Sequence, residues 1–409
     1  MQSSPFTHGP NYNRERAEGT TEARAQGYRV IYVASERLAK ISSLLPSNRN
    51  RSSLVHSLVA SLGLLRPIAE KNTDLEYPPT QVQVLRPSLA TSKELSAYHD
   101  KEYVDFLLDS QAAASERPLT FSVAQVELRD SFGLEDDCPP FRGLSDYVQH
   151  HAHKSHASGF CYVNDCVLAV LTLKRASCLG FSDTMPSRKP RIMYLDLDLH
   201  FSDGVSSAFH TSAPASSKYT PQILTLSIHH ASPGFFPPSP ISSLPNPVDP
   251  TFDPFTLSLP LSTGASNATF ARIWSSVVEK LKDAFDPDFI VLQCGVDGLA
   301  GDPCKVWNWG LDGKGGMGWC VEKVVRGWGK KVLMLGGGGY NAPNAARAWA
   351  YFTSIARGQP LSLETPIPDH NAFPLYAPSF TLDSMSLRML YVKSRGGLRI
   401  DVAHKKTHL

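Results

Sequence analysis

The sequence predicts a single large α/β domain on a mostly parallel, multi-stranded sheet with helices on both faces, and three observations carry that expectation. Four short runs, "RIMYLDLDL" (191–199), "QILTLSI" (222–228), "DFIVLQCG" (288–295) and "KKVLMLGGG" (330–338), are largely apolar at odd and even positions alike and end in turn residues. Helical periodicity accompanies them in "FARIWSSVVEKLKDAF" (270–285) and "NAARAWAYFTSIA" (344–356). The chain has 409 residues, 42% of them hydrophobic, enough for a sizeable core. Strands apolar on both faces need cover on both sides, which is the pattern of a parallel sheet between helix layers.

The elements follow in order. Residues 1–27 are polar and aperiodic and read as a disordered tail, with one domain over 28–409. "YRVIYVA" (28–34) reads as a first buried strand, and "SSLVHSLVASLGLL" (52–65) has helical spacing of its apolar residues. "SKELSAYHDKEYVDFLLDSQAAA" (92–114) reads as one helix with Ser92 as N-cap. "DCVLAVLTLKRAS" (165–177) is apolar nearly all round, hence a buried helix. The Pro/Ser-rich stretches 211–221 and 232–255 read as surface loops.

Composition narrows the function. A formal net charge of +2 argues against a nucleic-acid surface. No apolar run is long enough to span a bilayer, and the polar N-terminus does not read as a signal peptide. The seven cysteines form no C-x-x-C pair, and several lie in apolar runs, as buried thiols of a reducing compartment do.

Chemistry gathers where the strands end, the side on which open parallel sheets bind ligands. "MYLDLDLHFSDG" (193–204) places Asp196, Asp198, His200 and Asp203 where a buried strand should be apolar. The strand at 288–295 runs into Asp297, and that at 330–338 into four glycines and Tyr340. A lone strand-end Asp is more commonly a cap or a backbone acceptor. Four carboxylates with the pair His150–His151 are another matter, because each buried charge costs several kcal/mol unless paired or metal-bound. Asp198, His200 and Asp297 make a catalytic metal donor set with an open position. His150 and His151, with Asp196 and Asp203 to spare, suggest two His–Asp dyads. The glycine run lacks phosphate-loop spacing and predicts a close backbone approach to a ligand instead, with Tyr340 delivered beside it. Phe160, Phe235 and Phe236 on two loops suggest an apolar slot at the rim.

Taken together, "YHDKEYVDFL", "HHAHKSHASGFCYVND", "YLDLDLHFSDGV", "SPGFFP", "VLQCGVDGLAGDP", "LGGGGYN" and "IPDHNAF" resemble the class I histone deacetylases, particularly the short branch typified by histone deacetylase eight. That resemblance implies the arginase/deacetylase-like three-layer fold and zinc-dependent hydrolysis of acetyl-lysine in histones or other proteins. It implies zinc on Asp198, His200 and Asp297. His150 and His151 become the acid/base pair, backed by Asp196 and Asp203, and Tyr340 the oxyanion donor. Asp137, Gly159, Phe160 and Phe236 become substrate contacts. It further implies a potassium site of Asp196, Asp198, His200, Ser227 and the Ile228 carbonyl. Histone tails or other chromatin proteins as partners, corepressor subunits, and a nuclear or also cytoplasmic location follow from the same resemblance. A deacetylase of acetylated polyamines or other small amides, and a non-catalytic scaffold, are the alternative readings. The sequence departs from the family at Phe201–Ser202, where Ser202 is expected to strain a turn that prefers glycine. It departs again at "FFPPSP", and at Cys304, where a larger apolar residue is usual.

Overall fold

The computed structural model describes residues 29–66, 82–109, 123–148, 155–175, 189–211 and 222–383. The expected tail, the loop 212–221, His150 and His151 lie outside the described residues.

Among the described residues, seven strands form two sheets. β1 (Val30–Val33) pairs in parallel with β2 (Val82–Leu85), and the main sheet holds β3 (Ile192–Asp196), β4 (Ile223–His230), β5 (Thr256–Leu261), β6 (Phe289–Cys294) and β7 (Lys331–Gly336). The main sheet is parallel throughout, in the order β5-β4-β3-β6-β7. The four apolar runs are its strands, as expected, and β5 joins them at one edge.

β3 is buried at every position and divides its side chains between two cores. Met193 and Leu195 pack with Leu224, Leu226, Ile290 and Leu292 on one face. Ile192 and Tyr194 pack with Val167 and Val170 of the helix Asp165–Arg175 on the other. Each such fully buried aliphatic side chain stabilises the fold by roughly 1.5–3 kcal/mol. This two-sided cover is why the run reads as apolar without alternation.

Two expectations need correction. β1 is not a buried strand: Ile31 and Val33 are each about half exposed, because β1 and β2 form a separate two-stranded sheet. The stretch 92–114 is not one helix. Ser92–Leu95 and Lys101–Leu108 are separate helices, and Thr91, not Ser92, is the N-cap. Thr91 Oγ1 accepts the Glu94 N–H while the Glu94 carboxylate accepts the Thr91 N–H, the reciprocal pair of a capping box.

The break between these helices has a use. His99, buried at 3% exposure, accepts the Asn164 N–H on Nε2 at 3.1 Å, and the Tyr103 hydroxyl donates to the Tyr162 carbonyl at 2.8 Å. These bonds hold the loop that carries Gly159 and Phe160. The chain runs from β3 outward to β4 and β5, then returns to β6 on the other side of β3. The order therefore reverses at the β3/β6 boundary, where a crevice opens beyond the carboxyl ends of the strands.

Candidate active site

Both flanks of that crevice supply acid. In register, Asp196 at the end of β3 lies beside Ser227 of β4 and Gln293 of β6. Past the strand end, the chain folds so that the Asp196 carboxylate accepts the Asp198 N–H at 2.9 Å and the Tyr194 hydroxyl at 2.5 Å. Asp198 Oδ1 in turn accepts the His200 N–H at 3.0 Å. Asp297, three residues beyond β6, accepts the Leu199 N–H at 2.9 Å. Each carboxylate is thus aimed by a backbone amide.

The centre of the site is His200. Its Nδ1 lies 2.9 Å from Asp297 Oδ2 and 3.3 Å from Asp198 Oδ1. Ligand atoms that share one tetrahedral ion at bonds of roughly 2.0–2.1 Å stand about 3.3 Å apart, so this spacing suits a common ion. Electrostatics point the same way. Burial, then the neighbouring Asp198, pushes the Asp297 carboxyl up to about 7, and the same two causes hold Asp196 well above the usual carboxylate range. Burial alone would lower His200, but its bonds to Asp198 and Asp297 raise it to about 10. A proton on His200 partly neutralises the acidic cluster; a divalent cation would do so more fully. Two carboxylates and one imidazole nitrogen are the chemistry of a metal donor set. Among the described residues, the group whose donor atoms all lie within 4.8 Å of one another is His200, Asp297 and Cys304, without Asp198.

The glycine run explains how two carboxylates fit beneath one backbone. A Cβ at Gly338 would overlap the Asp297 carboxylate and stand 2.9 Å from Asp198 Oδ2, and the Gly338 N–H donates to that oxygen at 2.8 Å. A Cβ at Gly295 would overlap Asp198. The glycines were expected to approach a ligand; the approach the structure shows is to the acidic side chains Asp198 and Asp297. The run delivers Tyr340, whose phenol is driven upward in pKa by burial and by Asp297 and stays a neutral donor.

A cavity of about 780 Å³ is lined by Asp198 and His200, by Gly159, Phe160, Phe236 and Tyr340, and also by Tyr32, Arg51 and His56. Phe160 packs edge-on against Tyr340 with ring centroids 5.6 Å apart. Gly159 and Phe160 both have positive φ, 58° and 65°, unusual for Phe and a feature of strained functional turns. The Asp137 carboxylate accepts the Gly159 N–H at 2.8 Å, so these two rim residues are joined directly. Asp196 and Asp203 also reach the cavity.

Four residues to which the sequence reading gave no role, or only a looser one, belong here. Phe235, expected only at the rim, stacks on His200 at 5.2 Å and 14°. Arg51 donates to the Gly339 carbonyl at 2.7 Å. Asp302 accepts the N–H groups of Cys304, Tyr340 and Asn341. Tyr194 binds Asp196 as described. The "AGDP" stretch was the available signal for Asp302, and Arg51 directly precedes the helical run read at 52–65. Ser202 does not strain its turn: it lies at φ −75°, which any residue adopts. Phe201 is buried and packs on His229 with centroids 4.8 Å apart.

An α/β fold with a His/Asp donor cluster at the strand ends is a candidate metal-site architecture, and comparison with known proteins gives the family. The histone deacetylase domain matches residues 148–356. Histone deacetylase 8 of Xenopus tropicalis is 30% identical over 383 residues, covering 86% of this chain and 90% of the relative. Histone deacetylase 8 of Danio rerio is 31% identical, with 87% and 88% covered. Histone deacetylase 2 of Oryza sativa subsp. japonica is 31% identical over 82% of this chain and 62% of its own length. The chain belongs to the histone deacetylase family. It is a lysine deacetylase, a hydrolase of a family whose members depend on metal. No helix among the described residues is long and apolar enough to cross a membrane.

Proposed function

We propose that this enzyme hydrolyses the acetyl amide of N6-acetyl-lysine in chromatin proteins, histone tails included, using one zinc ion held by Asp198, His200 and Asp297. The observation that carries this reading is the His200 Nδ1 contact with both carboxylates, at 2.9 and 3.3 Å. When bound, zinc polarises a carbonyl and lowers the pKa of a coordinated water.

The remaining work falls to the chain. Phe160 and Phe236 form an apolar slot that takes the lysine stem and excludes water from the amide. The Gly159 carbonyl accepts the substrate amide N–H. Asp137 holds the substrate backbone at the rim while its own bond to Gly159 fixes that turn. His151 takes the proton of the attacking water, backed by Asp203, and His150, backed by Asp196, completes the acid/base pair and protonates the leaving lysine amine. Tyr340 donates its phenolic hydrogen to the oxygen on which charge develops. Its raised pKa favours this role, since a donor must keep its proton.

A potassium ion on Asp196, Asp198, His200, Ser227 and the Ile228 carbonyl would neutralise part of the acidic cluster; the parallel register of Asp196 with Ser227 supports it. Corepressor subunits and a nuclear location belong to the same reading and rest on family membership. The test is acetate release from an acetyl-lysine peptide and from acetylspermidine, each with and without chelator. Chelator-sensitive turnover of the peptide in preference to the polyamine is expected. Preference for acetylspermidine would assign the enzyme to small amides instead.

A further inference from the structure

His230 belongs to neither the proposed donor set nor the acid/base pair, yet it is buried at 4% exposure and bonded through backbone and ring alike. It ends β4, beside Leu261 of β5 in the parallel register. Its backbone N–H donates to the Leu199 carbonyl at 2.8 Å, one residue before His200. Its Nδ1 faces the Leu261 carbonyl at 3.0 Å. A carbonyl oxygen only accepts, so the ring hydrogen belongs on Nδ1, and Nε2 accepts from the Ser232 hydroxyl at 3.0 Å. Ser232 opens the turn that follows: its own carbonyl accepts the Phe235 N–H at 3.1 Å, with Gly234 at φ 77° between them. The His230 ring meets Phe235 edge-on, centroids 4.6 Å apart at 83°, and Phe235 lies nearly flat on His200 at 5.2 Å and 14°.

We propose that His230 is the positioning residue for Phe235 and, through Phe235, for His200. This rests on the reading of His200 as a metal donor. A neutral imidazole suits the task because its N–H and its lone pair sit on one rigid ring. The two nitrogens tie β5 to the turn at Ser232, and the ring edge presses on Phe235. A phenylalanine at 230 could press without tying; a glutamine could tie without pressing. With Phe235 held, the His200 imidazole keeps one plane, and its Nδ1 stays aimed at Asp198 and Asp297. A donor ring that is fixed in this way gives up its ion less readily. Phe236, the next residue, lines the cavity, so the same turn also sets the wall of the slot.

The test follows zinc release from the loaded full chain into an excess of a coloured chelator, with a urea midpoint for each protein. His230→Phe should release zinc roughly tenfold faster than wild type, as loss of a group that orients a metal ligand does. Phe235→Leu should do the same. Combining the two should add little, because both act through one ring. Ser232→Ala, at an exposed position, removes only the tie to the turn. It should also hasten release, with its urea midpoint near that of wild type. Release at the wild-type rate from either His230→Phe or Ser232→Ala, or effects that multiply in the double variant, overturns the proposal and leaves the metal site standing. A wild-type chain that holds no zinc overturns both.

Discussion

The Asp302 carboxylate accepts the backbone N–H of Tyr340 at 2.7 Å, from a loop 38 residues earlier in the chain. The same side chain accepts the N–H groups of Cys304 and Asn341. One buried acid therefore fixes the backbone at Tyr340, and it does so at the start of the helix Ala342–Ala356, where a negative charge is favoured.

Asp302→Ala should leave three amides short of an acceptor and destabilise the fold by roughly 2–3 kcal/mol. Turnover should fall about tenfold or more while KM changes little, because Tyr340 is displaced and the substrate slot is not. Urea denaturation and steady-state kinetics on the same protein check this. Loss of stability with kcat unchanged would reduce Asp302 to a structural role.

Tyr340→Phe removes a donor that acts on developing charge, so kcat should drop roughly a hundredfold to a thousandfold. Peptide affinity and metal content should stay near those of wild type. Single-turnover rates and peptide binding, measured side by side, separate the two effects. A variant as fast as wild type would end the oxyanion assignment.

Gly338→Ala places a methyl group on the Asp297 carboxylate. The backbone there cannot yield without losing the Gly338 N–H bond to Asp198. Metal content by elemental analysis should fall to a small fraction of wild type, with thermal stability reduced. Normal metal content would mean that the glycine run serves something other than the carboxylates.

The acidic centre was legible because charge interrupts runs that burial on both faces should keep apolar, as at Asp198, His200 and Asp297. Tyr340 was legible because four glycines before a tyrosine have no packing purpose. Asp302 and Arg51 were not assigned, since their partners lie 38 and 288 residues away and only the folded chain joins them. Four of the five main-sheet strands, β3, β4, β6 and β7, were legible from their apolar runs. The position of β1 was not, because an apolar run does not say which sheet it joins. Thr91 was missed as the N-cap although "TSKE" carries the capping-box signal, and the break at 96–100 was missed because it is held by His99 reaching Asn164.

His56, which is not among the proposed metal donors, offers a pH test. Burial holds its imidazole below the ordinary value, and its Nδ1 lies 2.7 Å from the Tyr32 hydroxyl. The unfolded chain takes a proton near pH 6.5, about the ordinary histidine value, whereas the folded chain resists until a lower pH. This contribution to stability is therefore complete above that value and is lost as pH falls through the depressed folded one. Urea midpoints measured from about pH 7 to about pH 5 should fall less steeply in His56→Gln than in wild type. Equal slopes would mean that His56 titrates alike in both states.

The central claim is that Asp198, His200 and Asp297 hold the ion on which hydrolysis depends, and Asp297→Ala tests it most directly. Metal content by elemental analysis and acetate release from an acetyl-lysine peptide are measured on one preparation of the variant and one of wild type. Wild type should carry about one tightly held divalent ion at the three-donor site and lose activity on chelation, recovering it when zinc is restored. Asp297→Ala should lose both ion and activity while remaining folded. A folded Asp297→Ala protein that retains its full metal content and deacetylates at the wild-type rate would contradict the account.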